Sequence, residues 1–308
     1  MGKNGAMTAA TDRFRDLHAS GCFVMPNPFD IGSARLLDAL GFPALATTSA
    51  GFAATLGRDD MQVTRDELVA HVERLAAATT LPLYVGVQLT DTEIPFADAR
   101  LLAPVIPRSK VVGIGKNYAA HAAEMGSALP AEPLMFLKPN TSVVGPGDPV
   151  FYPRQSSEVH YEGELAVVIG RICRDVAPER VADVIYGYTV ANDVTARDLQ
   201  RGDVQFTRAK GFDSFCPLGP WIETELDTSD LKVTTHLNGD LVQDGTTKDM
   251  VFDVPALVAY VSSVMTLLPG DVILTGTPEG VGPMNVGDEV EVTVAGIGSL
   301  TNRVVARD

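Results

Sequence analysis

The stretch that most limits what this chain can become is Glu158-Val159-His160-Tyr161-Glu162-Gly163-Glu164, continued by Leu165-Ala166-Val167-Val168-Ile169-Gly170. An apolar, β-branched run closed by a glycine reads as a buried strand, and side chains along a strand alternate between faces. Glu162 and Glu164 then share a face. Two carboxylates at the mouth of a buried strand repel each other and lose hydration, so they require a cation or a proton. Oxygen ligands alone select a hard cation, Mg²⁺ ahead of Ca²⁺ or Mn²⁺. The same residues also fit an edge strand with two solvated glutamates, and the segment alone leaves both readings open.

The rest of the chain bounds the answer. At 308 residues, with 45% hydrophobic and 20% charged content, it has room for two domains or one large one and for a real core. A net charge of −15 argues against a nucleic-acid or anionic-membrane partner, because either needs a basic stripe. Cys22, Cys173 and Cys216 are odd in number and form no C-x-x-C pattern, which suits free thiols in a reducing cytosol. The N-terminus shows no apolar signal region, Ala6 breaks the myristoylation pattern, and no apolar run approaches membrane length. A cytoplasmic protein without a membrane partner is expected.

In chain order, residues 8–20 read as a short helix and Cys22-Phe23-Val24-Met25 as a strand ended by Pro26-Asn27-Pro28. Ile31 to Leu40 reads as a helix with Leu36, Leu37 and Leu40 on its apolar side and Gly41 as its stop signal. Ala44 to Thr48 is a second strand. Thr64-Arg65-Asp66-Glu67 is a capping box for a helix presenting Leu68, Val72 and Leu75, and Leu83 to Gln88 is a third strand. Through Asn27-Pro28-Phe29-Asp30-Ile31-Gly32-Ser33-Ala34-Arg35, Thr48-Ser49-Ala50-Gly51 and Gly57-Arg58-Asp59-Asp60, residues of about 20–85 resemble the opening of the isocitrate lyase/phosphoenolpyruvate mutase family. That resemblance implies a barrel, yet this β-α-β-α-β segment is too short to close one and lacks the acidic segment expected after the third strand. Lyase or mutase activity is therefore not expected of it.

Residues 90–107, with Pro95, Pro104 and Pro107, read as a linker or first strand. From Lys110 onward short strands and Gly/Pro turns dominate, at 110–114, 187–192, 221–224, 232–238, 272–275, 289–294 and 299–305. Two helices are expected, Pro178 to Val184 and Val254 to Thr266, the latter behind Asp253 as N-cap. Asp193 follows the apolar strand Tyr186 to Ala191 and is a candidate third metal ligand, with an Asx-turn or N-cap role as the alternative. Three carboxylates on an octahedral Mg²⁺ leave about three positions, which suits a chelating 2-oxo acid. His121 and Glu124 fall three apart, on one face if their segment is helical. A carboxylate that orients an imidazole makes a general base, although a solvated His-Glu pair has the same spacing.

Six stretches now stand in order: Gly115-Lys116-Asn117-Tyr118-Ala119-Ala120-His121, Phe136-Leu137-Lys138-Pro139, His160-Tyr161-Glu162-Gly163-Glu164-Leu165, Asn192-Asp193-Val194-Thr195-Ala196-Arg197-Asp198, Ala209-Lys210-Gly211 and Leu274-Thr275-Gly276-Thr277-Pro278-Glu279-Gly280-Val281-Gly282. Together they make residues of about 98–308 closely resemble the fumarylacetoacetate hydrolase family. The resemblance implies an α+β fold, a mainly β catalytic domain (β-roll) over 91–308, preceded by the incomplete β-α-β-α-β segment over 1–90, which is expected to pack poorly. It further implies a homodimer using Mg²⁺ or Mn²⁺, with Glu162, Glu164 and Asp193 as metal ligands and His121 with Glu124 as the water-activating pair on a lid helix. Lys210 matches the lysine near the scissile carbonyl, and Arg197, Gln200 and Thr277 fall where that family contacts substrate oxygens. Ala120 departs from the family, which commonly has Asp there. So does the N-terminal region, where the family normally has a small β-rich domain.

The expected activity is hydrolysis of a C–C bond in an acylpyruvate-type 2,4-dioxo acid such as fumarylpyruvate, releasing pyruvate. The alternative keeps the same site for isomerisation of the 2-hydroxyhepta-2,4-diene-1,7-dioate type, or for oxaloacetate decarboxylation or tautomerisation. A non-catalytic metal-binding scaffold is the reading from another class, against which Lys210, His121 and Glu124 weigh.

Overall fold

A computed structural model describes residues 13–14, 16–17, 23–59, 62–84 and 100–307. The chain divides into two compact units, Met1–Ala97 and Asp98–Asp308.

In the first unit, α1 (Ile31–Ala39) begins at Asp30, whose side chain accepts from the Ser33 amide while the Ser33 hydroxyl accepts from the Asp30 amide. After β1 (Leu45–Ala46) comes α2 (Ser49–Thr55), and then α3 (Arg65–Ala78), whose predicted capping box is formed by Thr64 and Glu67. Strand β2 (Leu83–Tyr84) pairs in parallel with β1. Ala34, Leu45 and Leu75 form a small core with Leu37, Leu81 and Leu83 around it. Leu36 and Leu40, expected on the apolar side of α1, are instead exposed, so Leu37 alone of the three packs inward. Residues 23–25 form no strand, which corrects that expectation; Cys22, Asp60, residues 85–88 and most of 8–20 and 90–99 lie outside the described residues.

The second unit is mainly β. Its elements are β3 (Val111–Gly115), α4 (Ala119–Glu124), β4 (Leu134–Lys138), β5 (Val143–Val144), β6 (Pro149–Tyr152), β7 (Val159–Tyr161), β8 (Gly163–Ile169), β9 (Ile185–Asn192) and β10 (Thr195–Ala196). There follow α5 (Arg197–Gly202), α6 (Thr207–Lys210), β11 (Cys216–Glu223), β12 (Lys232–Leu237), β13 (Asp240–Thr246), α7 (Val254–Val264), β14 (Val272–Leu274), β15 (Gly282–Met284), β16 (Glu289–Val294) and β17 (Gly298–Ala306). Pro178–Asp183 is a 3-10 helix rather than the α-helix expected there, as suits a piece of only six residues opened by proline.

A seven-stranded sheet runs β4-β3-β14-β8-β9-β11-β5 and a five-stranded one β13-β12-β16-β17-β6. Leu165, Val167 and Val190 of the larger sheet share one core with Val233, Val292, Val294 and Val304 of the smaller, so the two sheets pack face to face. The opposite face of the larger sheet buries Val111, Ala166, Val168, Leu218 and Val272. Strand β8 is central and buried on both faces, which explains its continuous apolar run and removes the edge-strand reading. Full burial of Leu165 and Val167 contributes on the order of 2 kcal/mol each, anchoring a strand whose leading end is acidic. Among the described residues no helix is long and apolar enough to cross a membrane.

Candidate metal and catalytic site

The three carboxylates meet because of strand register. Glu164 is paired with Ala191 and Gly163 with Asn192 across the antiparallel β8–β9 ladder, so Glu162 falls opposite Asp193. The Asp193 amide donates to the Glu162 carbonyl at 2.8 Å, extending the pairing past the strand ends. Residues opposite each other project to the same face, and so do residues two apart. Glu162, Glu164 and Asp193 are all buried, with one ligand oxygen from each lying within 4.8 Å of the others.

Buried cations answer two of these acids. Lys210, at the end of α6, donates to Glu162 Oε2 at 2.8 Å, Asp193 Oδ2 at 2.6 Å and Thr195 Oγ1 at 2.7 Å. Arg197, at the start of α5, pairs with Glu162 and donates to Gln200 Oε1, and Lys138 at the end of β4 pairs with Asp193. Burial would raise the Glu162 carboxyl, but Lys210 and Arg197 outweigh it and hold it well below the usual carboxylate range. Burial likewise disfavours the Lys210 charge, and the Asp193 and Glu162 carboxylates reverse that, raising the ammonium above its ordinary value.

Glu164 has no such partner. Its Oε2 accepts from the Gly276 amide at 2.7 Å, and among the described residues it forms no ion pair. Burial, then the negative charges of Asp193 and Glu162, push its carboxyl well above the ordinary range. A buried carboxylate beside two others, with one hydrogen bond and no cation, is the donor set a hard divalent ion would complete. The residues present fit a metal.

His121 sits on α4, 6% exposed, with Nδ1 3.4 Å from Glu124 Oε2. The helix expected from their spacing is present. Glu124 also accepts from the Gly280 amide at 3.2 Å, which ties α4 to the loop after β14. His121, Glu162, Glu164, Asp193, Arg197, Gln200, Lys210 and Thr277 line a single cavity of about 240 Å³, with Lys116, Arg201 and Phe206 among the other walls. Glu124 stands behind His121 and is not part of that wall. Thr277 donates its hydroxyl to the Gly163 carbonyl at 2.9 Å and accepts from Gln243 Nε2 at 2.8 Å. Its hydrogen is therefore committed to the backbone between the two glutamates.

Two participants escaped the sequence reading. Lys138 stands in the sequence only within the stretch Phe136-Leu137-Lys138-Pro139, with no role of its own, and its pairing with Asp193 spans a sheet in which β3 and β14 separate β4 from β8. Gln243 on β13 gave no signal: its bond with Thr235 is a cross-strand contact within the smaller sheet, and its bonds to Thr277 and the Gly163 amide join residues far away in sequence.

Two family models and several known proteins match this chain. The fumarylacetoacetate (FAA) hydrolase C-terminal family matches residues 110–305, and the phosphoenolpyruvate phosphomutase family matches residues 14–106. Protein Rv2993c of Mycobacterium tuberculosis is 56% identical over 216 residues, covering 69% of this chain and 81% of that protein. Oxaloacetate tautomerase YisK of Bacillus subtilis is 40% identical over 253 residues, covering 78% of this chain and 83% of its own length. A crystal structure of 5-carboxymethyl-2-hydroxymuconate delta-isomerase from Mycobacterium smegmatis is 57% identical, with a TM-score of 0.66, covering 71% of this chain and 87% of that one.

Proposed function

Because the chain belongs to the fumarylacetoacetate hydrolase family, we propose that it is a divalent-metal-dependent tautomerase or double-bond isomerase acting on 2-oxo acids and their enols. The observation that carries this reading is an imidazole backed by a carboxylate, His121 with Glu124, on the wall of the cavity that also presents Glu162, Glu164 and Asp193. Moving a proton next to a carbonyl needs a base of that kind and a means of stabilising the enolate. Mg²⁺ or Mn²⁺ held by the three carboxylates would supply Lewis-acid stabilisation of charge on the 2-oxo oxygen. His121 takes the proton from the carbon next to the carbonyl and returns it at the new position, while Glu124 fixes the ring's orientation. Lys210 provides positive charge beside the triad, and Arg197 with Gln200 orients the substrate carboxylate. The relatives named as an oxaloacetate tautomerase and a muconate isomerase support this reading over hydrolysis.

The hydrolytic reading rests on the same dyad, since a base that removes a proton from carbon also activates water for attack on an acylpyruvate. One experiment separates the two. Enol-oxaloacetate absorbance is followed with Mg²⁺ and then with excess chelator, beside pyruvate release from fumarylpyruvate and acetylpyruvate. Chelator-sensitive enol decay without pyruvate release is the expected result, and pyruvate release from the acylpyruvates would move the assignment to hydrolase.

A further inference from the structure

The cavity wall carries four cationic side chains, and three of them are already neutralised. Lys210 is bound by Glu162 and Asp193, Arg197 by Glu162, and Arg201 by Glu158. The fourth, Lys116, is half-buried in the same wall and, among the described residues, makes no hydrogen bond or ion pair. A substrate entering this cavity meets one ammonium group with no protein anion of its own.

The backbone holds Lys116 there at a cost. Its φ is +59°, in the left-handed region that side-chain-bearing residues other than Asn and Asp seldom enter, a strained conformation for a lysine. The next residue explains why it persists. The buried Asn117 side chain donates to the Thr275 carbonyl at 2.7 Å and the Phe252 carbonyl at 3.0 Å, and accepts from the Phe252 amide at 2.9 Å. The Asn117 carbonyl accepts from the Val251 amide at 2.7 Å. Four bonds to other elements fix the chain at Asn117, and Lys116 is left to turn β3 toward α4 on the cavity wall. Neither Asn117 nor the turn needs an ammonium at that position.

We propose that Lys116 is the specificity residue that reads a second carboxylate, making 2-oxo dicarboxylates the preferred substrate class. This rests on the 2-oxo acid reading given above: the triad end takes the 2-oxo carboxylate head and Lys116 pairs with the far carboxylate. An unpaired ammonium in a partly enclosed wall discriminates a charged from an uncharged tail because only the former completes a charge-assisted hydrogen bond.

The test is binding, so that it stands apart from turnover. Affinities of 2-oxoglutarate and 2-oxopentanoate, which share a five-carbon 2-oxo acid skeleton and differ in the far carboxylate, are measured by calorimetry with Mg²⁺ for the full chain. The K116N and K116R variants are measured beside it. Asn favours the left-handed backbone, so K116N removes the charge without added strain. The wild type is expected to prefer the dicarboxylate by about tenfold, K116R to keep most of that preference, and K116N to abolish it while shifting 2-oxopentanoate by less than about twofold. A dicarboxylate preference that survives in K116N, or a wild type without any, overturns the proposal. Preference abolished by K116N in a protein that shows no enol decay would leave the role of Lys116 standing and remove the tautomerase reading instead.

Discussion

His121 Nδ1 lies 3.4 Å from Glu124 Oε2, and the same carboxylate is held by the Gly280 amide at 3.2 Å. The imidazole is thereby aimed from behind, and it contributes no bond to the carboxylate triad. His121→Ala should lower kcat for enol decay by about 10²- to 10⁴-fold, the range of general acid–base contributions. Mg²⁺ affinity measured by calorimetry should stay within about threefold of wild type. Collapse of metal affinity in that variant would make His121 structural or a ligand.

Gly163 separates the two glutamates for a reason visible in the packing. A Cβ at that position would lie 2.3 Å from Thr235 Oγ1 and 2.9 Å from Val292 Cγ1, across the junction of the two sheets. Even Ala forces the sheets apart locally or tips Glu162 and Glu164 out of register with Asp193. Gly163→Ala should destabilise the protein by about 1–3 kcal/mol in urea unfolding and weaken Mg²⁺ binding as well. Unchanged metal affinity would mean that β8 absorbs the extra methyl group without moving the carboxylates.

Much of the site was legible in the sequence because its logic is local. Glu162 and Glu164 share a face through strand alternation, Asp193 closes an apolar strand, and His121 and Glu124 share a helical turn. Strand 289–294 is found with the expected bounds, and 232–238 and 272–275 are found shortened by a residue. What stayed hidden is non-local. Strand β7, with its three residues, reads only as part of the acidic stretch, and β10 and β15, also too short for a periodic signal, exist because they pair with it. The pairings of Lys138 with Asp193 and Gln243 with Thr277 join residues distant in sequence, so nothing near either residue announces them.

Glu164 is the triad member without a protein cation, and that makes it the sensor for metal loading. Mg²⁺ at about a hundred times its Kd should stabilise the wild type by about 2.7 kcal/mol through mass action. Glu164→Gln removes a ligand charge and the like-charge repulsion from Asp193 and Glu162 together. In excess chelator the variant should melt at or above the wild-type temperature, and added Mg²⁺ should shift its melting far less than that of wild type. An equal Mg²⁺ shift in both proteins would place the ion elsewhere.

Asp271 provides the acid limit of the fold. Its buried carboxylate accepts from the Ser109 hydroxyl at 2.7 Å, Lys110 Nζ at 2.6 Å and the Leu268 amide at 2.9 Å, with the Ser109 and Lys110 amides at 3.2 Å. Burial would raise this carboxyl, but the Lys110 ammonium and then the Leu268 and Ser109 bonds outweigh it and set it below its ordinary value of 3.8. A depressed carboxyl means the unfolded chain binds the proton more readily. Its stabilisation is therefore fully present above the unfolded value and is lost as pH falls through the lower, folded one. Asp271→Asn should cost about 2–3 kcal/mol at neutral pH, since it strips the charge from bonds that join β3 to the start of β14. As pH falls below the ordinary value of 3.8, the gap between wild type and variant should narrow in parallel urea titrations. A gap that stays constant over that range would show that Asp271 is held by packing, with its charge of no consequence.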